Sequence, residues 1–323
     1  MKPQRIASLL ASATEILYGL GLGEKVVAVS HECDFPPEVT GKPRVTYTHI
    51  AANASSASID TQVKRRTGAG EPIYNIDTEA LASLRPDLIV TQGQCAVCAV
   101  SHDDVLRAVQ SHDALKHAVV VALNATTLDE IFEDIIRVGD AAACPVEAQA
   151  YVADLRKRVE AVRAKVAPVA AAHPPRVVCI EWIDPVMVAA NWMPELIDLA
   201  GGRCGLTRSG ARSEYTDWDD VVAFDPEVIV VMPCGFDLTR TLDEARDLPR
   251  LGSWSMLTAV KNKRVYAVDG NAYFNRSGPR IVDSLEILAA LIHPTVFGDA
   301  EPSREGIIAK LPGLVASNMS GQD

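Results

Sequence analysis

No uninterrupted apolar run in the sequence approaches the roughly 20 residues of a membrane-spanning helix, so the chain offers no transmembrane segment. A net basic charge is missing too. With 31 Lys and Arg against 42 Asp and Glu the formal charge is -11, which argues against a nucleic-acid or anionic-membrane partner. Familiar catalytic signatures are absent: there is no P-loop, no Gly-x-Ser-x-Gly elbow and no His-Glu-x-x-His. Gly19-Leu-Gly-Leu-Gly23 follows a helix-like run instead of a strand, so it reads as a helix stop and not as a dinucleotide loop. The seven cysteines are an odd number and do not suggest a disulfide framework in a chain of 323 residues. Aromatic residues make up only 5%, so those that fall in loops stand out.

Lys2 and Arg5 precede the short apolar stretch Ile6–Ala11, which falls below the roughly 7 to 15 residues of a signal-peptide core. As the sequence stands, a cytoplasmic protein is expected, or an exported one if a native signal was removed.

What is present is one plan stated twice. Arg5–Leu9 leads to Thr14–Gly21, and Ile76–Thr91 runs into a Gly/Gln/Cys loop. The second half answers with Arg176–Ile180, then Pro194–Gly202, then Trp218–Met232 running into Pro-Cys-Gly. A repeat of well over a hundred residues is too long for a solenoid and implies two similar lobes facing a cleft. Short β-branched runs at Arg5–Leu9, Lys25–Val29, Leu88–Thr91 and Ala118–Val121 read as strands. Helices are expected between them at Ala13–Leu20, Ser58–Thr67, Asp77–Leu84, His102–Ser111 and Leu128–Cys144. From Pro145 to about Val169, Leu155, Val159, Val162 and Val166 recur at helical spacing, which predicts one long amphipathic helix between the lobes. The second lobe repeats strands at Val177–Ile180, Val228–Met232 and Arg264–Val268. Its helices are expected at Pro194–Ala200, Asp217–Phe224 and Gly278–Leu291. The expected class is α/β, with two lobes of mainly parallel sheet spanning 1–144 and 173–313, a linking helix over 145–172 and a polar tail over 314–323.

Ligands of open parallel sheets bind beyond the carboxyl ends of the strands. Four polar clusters fall there: Ser30–Asp34, Gln92–Cys98, Pro233–Asp237 and Asp269–Arg276. Cys95 and Cys98 form a Cys-x-x-Cys, and His31 and Cys33 sit at a neighbouring strand end. Thiolates and imidazoles at that spacing can hold zinc or a softer metal, serve as a redox dithiol or simply line a pocket. Trp182, Trp192, Tyr273 and Phe274 lie in or beside loops, where aromatics can clamp a flat ligand. Arg276 is a candidate for a carboxylate or amide edge. The candidate ligand-lining set is Ser12, Cys33, Asp34, Gln92, Gln94, Cys95, Trp192, Cys234, Phe236, Tyr273, Phe274 and Arg276.

The segments Arg5–Leu17, Gly23–Ser30, Cys33–Pro37, Leu84–Val90 and Ser277–Ile281 together resemble the helical-backbone substrate-binding proteins of ABC importers. Within that family the resemblance is strongest to the vitamin B12-binding branch, beside the ferric-siderophore and haem binders, and covers about residues 4 to 294. It implies two α/β lobes joined by a stiff helix, a large flat metal chelate as ligand, no obligatory cofactor and an ABC permease as partner. By position, Tyr273 falls where an aromatic stacks on the ligand and Arg276 where an arginine meets it, while Ala272 replaces an expected acidic residue. Asp103 and Asp198 fall near the carboxylates offered to permease arginines. A monomeric, non-enzymatic binding protein for a cobalamin-like corrinoid is therefore expected. The rival readings are a zinc- or iron-binding protein built on the Cys/His cluster and a thiol-dependent corrinoid-processing enzyme.

Overall fold

The computed structural model describes residues 2–93, 99–298 and 306–311. The chain divides into two compact α/β units, and the division falls at residues 157 and 158, inside one helix. Residues 277–279 group with the first unit and 55–57 with the second.

The first unit begins with β1 (Ile6–Ser8), α1 (Ala11–Gly19) and β2 (Val26–Val29). There follow β3 (Thr46–Thr48), α2 (Ser56–Gly68), β4 (Tyr74–Ile76) and α3 (Thr78–Ser83). The remaining elements are β5 (Leu88–Gln92), α4 (His102–Ser111), β6 (Val119–Leu123), α5 (Leu128–Ala141) and the start of α6 (Pro145–Ala170). Four parallel strands form the sheet in the order β2-β1-β5-β6. Every residue of β5 is buried, as a strand covered on both faces requires. Ala7, Leu9, Ala28, Ile89, Val105 and Leu115 pack one side of it.

Local sequence sets several helix starts. Thr127 and Glu130 form a reciprocal capping box on α5, Ser101 accepts the Asp104 N–H on α4, and Asp77 accepts the Ala80 N–H on α3. The helix expected over Leu128–Cys144 stops at Ala141, because Ala143 turns left-handed (φ 55°) and hands the chain to Pro145 at the start of α6. Gly139 permits this packing: a Cβ there would lie 2.3 Å from the Ala148 methyl.

The second unit contains β7 (Val177–Trp182), β8 (Met187–Val188), α7 (Met193–Leu199), β9 (Glu214–Tyr215) and α8 (Trp218–Phe224). It continues with β10 (Val228–Val231), α9 (Leu238–Glu244), α10 (Thr258–Lys261) and β11 (Val265–Val268). It closes with α11 (Ile281–Ile292), α12 (Pro294–Phe297) and β12 (Ile308–Lys310). The sheet order is β12-β11-β10-β7-β8-β9. β7, β10 and β11 run parallel, whereas β8, β9 and β12 are antiparallel additions at the flanks. Val178, Ile180, Ile229, Val231, Val265 and Ala267 line the core against Trp254 and Leu257.

The repeat extends to backbone detail. Asp87 returns a carboxylate to the Arg5 N–H, and Glu227 does the same for Arg176. Arg5 Nε donates to the Leu84 carbonyl, and Arg176 Nε to that of Asp225. Arg85 and Asp225, each just before a proline, are both left-handed, at φ 44° and 46°. Those two residues close the helix that precedes the central strand in either unit.

Candidate functional site

Parallel strands deliver their carboxyl ends to one edge of each sheet, and the loops leaving those ends carry the side chains of interest. In the first unit this edge is rich in buried small polar groups. Ser8, Thr14, Ser30, Thr46 and Thr91 are at most 5% exposed. Thr14 Oγ1 donates to Ser8 Oγ at 2.7 Å and sits 3.1 Å from Cys33 Sγ. Cys33 is fully enclosed there, so in this structure it presents no surface to a metal or ligand. Ser12 is likewise buried, with its hydroxyl unpaired among the described residues, and the Gly278 backbone packs against its Cβ. Gln92 is 6% exposed and donates to the Ala99 carbonyl. Asp34 and Phe35 lie outside on the following loop.

His31 lies at this edge, just past the end of β2. Its Nδ1 lies 2.7 Å from Thr46 Oγ1, which also accepts the His31 backbone N–H and is 3.1 Å from Ser30 Oγ. The ring packs on Tyr74 with centroids 5.6 Å apart. Burial, aided by the Arg44 guanidinium that caps the His31 and Cys33 carbonyls, holds its pKa below the ordinary imidazole value. The ring is therefore neutral near pH 7. Gln94, Cys95 and Cys98 lie outside the described residues. Among the described residues no group of three or more His, Cys, Asp or Glu side chains could hold a metal ion.

The corresponding edge of the second unit is aromatic and cationic. Trp182, at the end of β7, meets Phe236 at 5.3 Å with a tilt of 56°, and the Arg240 guanidinium stands 3.6 Å from the Phe236 ring centre. Phe236 itself is buried, Trp182 is half-buried, and Cys234 beside them is exposed. Burial lowers the Arg240 pKa from its ordinary value. Past β11 the chain makes a single π-helical turn, Gly270–Phe274, capped by Asp269. Such turns occur often at functional sites. This one rests on the end of β10 so closely that a Cβ on Gly270 would lie 2.5 Å and 2.6 Å from the Pro233 and Met232 carbonyl oxygens. Asn275 Nδ2 donates to the Met232 carbonyl at 2.8 Å and locks the two loops together.

The aromatic candidates separate within this loop. Trp192 is 8% exposed and donates its indole N–H to the Phe274 carbonyl, and Phe274 is fully buried, so the structure places both as internal braces and not as loop-exposed clamps. Tyr273 is half-buried, with Arg280 5.3 Å from its ring centre, and burial raises its phenol pKa. Arg276 is 8% exposed and donates to Asn271 Oδ1. Trp182, Arg240 and Arg280 are each half-buried, and Arg240 has no sequence signal beyond its spacing of four from Phe236. Asp103 on α4 and Asp198 on α7 are both exposed by residue, and partial desolvation of its carboxyl raises the Asp198 pKa.

A family model described as periplasmic binding protein matches residues 6–272. The chain belongs to that family. Among relatives of this periplasmic binding protein is an uncharacterised ABC transporter substrate-binding lipoprotein of Bacillus subtilis. It is 26% identical over 305 residues, which cover 92% of this chain and 82% of the relative. A protein of Vibrio cholerae named vitamin B12-binding protein is 27% identical over 286 residues, covering 88% of this chain and 87% of that one. The crystal structure of a periplasmic vitamin B12-binding protein of Vibrio cholerae superposes with a TM-score of 0.61 at 24% identity, over 90% of this chain and 97% of that one. A periplasmic haem-binding protein of Pseudomonas aeruginosa gives 0.68 at 19% identity, over 91% and 94%. These likenesses confirm the two-unit α/β fold expected from the repeat. Among the described residues, no helix is long and apolar enough to cross a membrane.

Proposed function

We propose that this periplasmic binding protein carries a cobalamin-like corrinoid, or a related flat metal chelate, as the substrate-binding component of an ABC transporter. The observation that carries the reading is the group formed by Trp182, Phe236 and Arg240 at the carboxyl ends of β7 and β10. An indole face beside a braced phenyl ring suits a planar macrocycle, and guanidinium groups at Arg240 and Arg280 suit its peripheral amides or carboxylates. The names of the Vibrio relatives support a corrinoid, and that of the Bacillus relative supports a permease partner and an exported location. The role is binding without turnover, in keeping with relatives that are all named as binding proteins.

Titration of the purified chain with hydroxocobalamin and methylcobalamin, followed by visible absorption, tests the reading. Saturable binding at micromolar ligand, weakened in Trp182→Ala, is expected. Absence of binding to either cobalamin at that concentration rejects the corrinoid.

A further inference from the structure

Phe236 touches both Trp182 and Arg240, so the geometry of the aromatic group depends on where its ring is held. The loop that carries it is tied down at its start, where the Cys234 N–H donates to the Glu181 carbonyl and the Met232 carbonyl accepts from Asn275. Gly235 then turns left-handed at φ 76°, and a Cβ there would meet nothing within 4 Å. A glycine in open space passes little restraint on to the residue after it.

The restraint on Phe236 comes from the π-helical turn instead. The Asn271 backbone N–H donates to the Phe236 carbonyl at 3.0 Å, and Asn271 Oδ1 accepts from Arg276 Nη2 at 3.1 Å. The Arg276 bond spans the same five positions as the bond from the Asn275 N–H to the Gly270 carbonyl, so it closes the turn a second time. A short side chain fixed at its amide also fixes the peptide beside it, and linked hydrogen bonds of this kind rigidify the loop they cross. Arg276 is 8% exposed and has little surface to offer a ligand. Every group in this relay belongs to the second unit.

We propose that Arg276 is a positioning residue for the chelate site: it holds Asn271, Asn271 holds the Phe236 carbonyl, and the Phe236 ring sets Trp182 and Arg240. By resemblance alone this arginine would meet the ligand itself; its burial and its bond to Asn271 assign it to the support of the aromatic group. The proposal rests on the chelate-binding reading above and adds how that group is kept in place.

Two measurements on the full chain test it. The first needs no ligand and follows the fluorine resonance of Trp182 in protein labelled with fluorotryptophan, assigned by Trp182→Phe. The signal should shift in Arg276→Met and in Asn271→Leu, and stay at its parental position in Asn271→Asp, which keeps an acceptor for Arg276. Trp218 and Trp254, which stack on each other, should keep their resonances, whereas a general loosening of the unit would move them as well. The second is titration with hydroxocobalamin and with a cobalamin that carries a carboxylate in place of one peripheral amide. Arg276→Met should weaken both by the same factor, about tenfold, and combining it with Asn271→Leu should cost no more than either change alone. A direct contact with a side arm would instead discriminate between the two cobalamins and add to the loss in Asn271→Leu. That result, an unchanged affinity in Arg276→Met, an unmoved Trp182 resonance, or Trp218 and Trp254 resonances that move with it, overturns the assignment and leaves chelate binding standing. Failure of the parent chain to bind either cobalamin at micromolar concentration overturns the reading beneath it, and the assignment with it.

Discussion

The two units share a scaffold and differ at the edge where their parallel strands end. The first unit ends in buried hydroxyl groups, a buried thiol and a half-buried imidazole anchored on Thr46. The second ends in an indole, a phenyl ring and guanidinium groups, held by loops that are bolted backbone to side chain. Equal scaffolds thus carry unequal edges, a division that gives buried polar groups to the first unit and aromatic and guanidinium groups to the second.

The largest break in that division should come from Gly270. Any side chain there meets two backbone carbonyls that cannot swing away, so Gly270→Val should destabilise the second unit by about 3 kcal/mol and abolish chelate binding with it. Thermal unfolding and titration together would show both losses; a melting temperature unchanged from the parent would mean that the β10 end yields more readily than its packing implies. Trp182→Ala tests the contact area directly. It should weaken binding by about ten- to a hundredfold, and leave stability within about 1 kcal/mol because the ring is only half-buried. Isothermal titration separates the two effects.

On the first unit, Thr46→Val removes the shared acceptor of two His31 donors and the donor to Ser30. A loss of about 1–2 kcal/mol is expected in urea unfolding. A neutral result would mean that water replaces the hydroxyl and that the anchor is dispensable. A smaller, pH-dependent effect involves both units. Burial is the chief cause holding His31 in the first unit and His293 in the second below the ordinary imidazole pKa. The folded state thus favours the neutral ring, while the unfolded chain takes up protons below about pH 6.5. Stability from these groups is full above that pH and falls as the solution is acidified. The urea midpoint at pH 5.5 should lie below that at pH 7.5, and the gap should narrow in His293→Gln. The smallest change is expected from Arg240→Met, about 0.5–1 kcal/mol of binding, read as a weaker affinity for chelates with anionic or amide side arms.

The scaffold was legible because it follows from local rules. Short β-branched or apolar runs bounded by turn residues marked β1, β2, β5 and β6, and the boundaries of α4 matched the sequence expectation residue for residue. The short antiparallel strands escaped notice because β8 and β9 have two residues each, too few for any periodicity. The site was harder to read. Residue type drew attention to Cys33, Trp192 and Phe274, but partners decide exposure: a hydroxyl network encloses Cys33, and a hydrogen bond between Trp192 and Phe274 braces both inward. His31 was visible as a residue type, whereas its ring partner is Thr46, fifteen positions away on β3. No spacing rule in the sequence could have paired them.

The carboxylates that Asp87 and Glu227 return to the first strand of their units have a bearing on how such a chain can grow. The Arg5–Asp87 closure spans 82 positions and the Arg176–Glu227 closure 51. Loop-closure entropy rises only with the logarithm of length, so the longer span costs about 0.4 kcal/mol more. The hairpin of β3 and β4 and the helix between them fall inside that longer span. Thr46 stands on that hairpin. A module of this fold can therefore accept a whole extra strand-helix-strand element between its first and central strands at less than the energetic weight of one hydrogen bond.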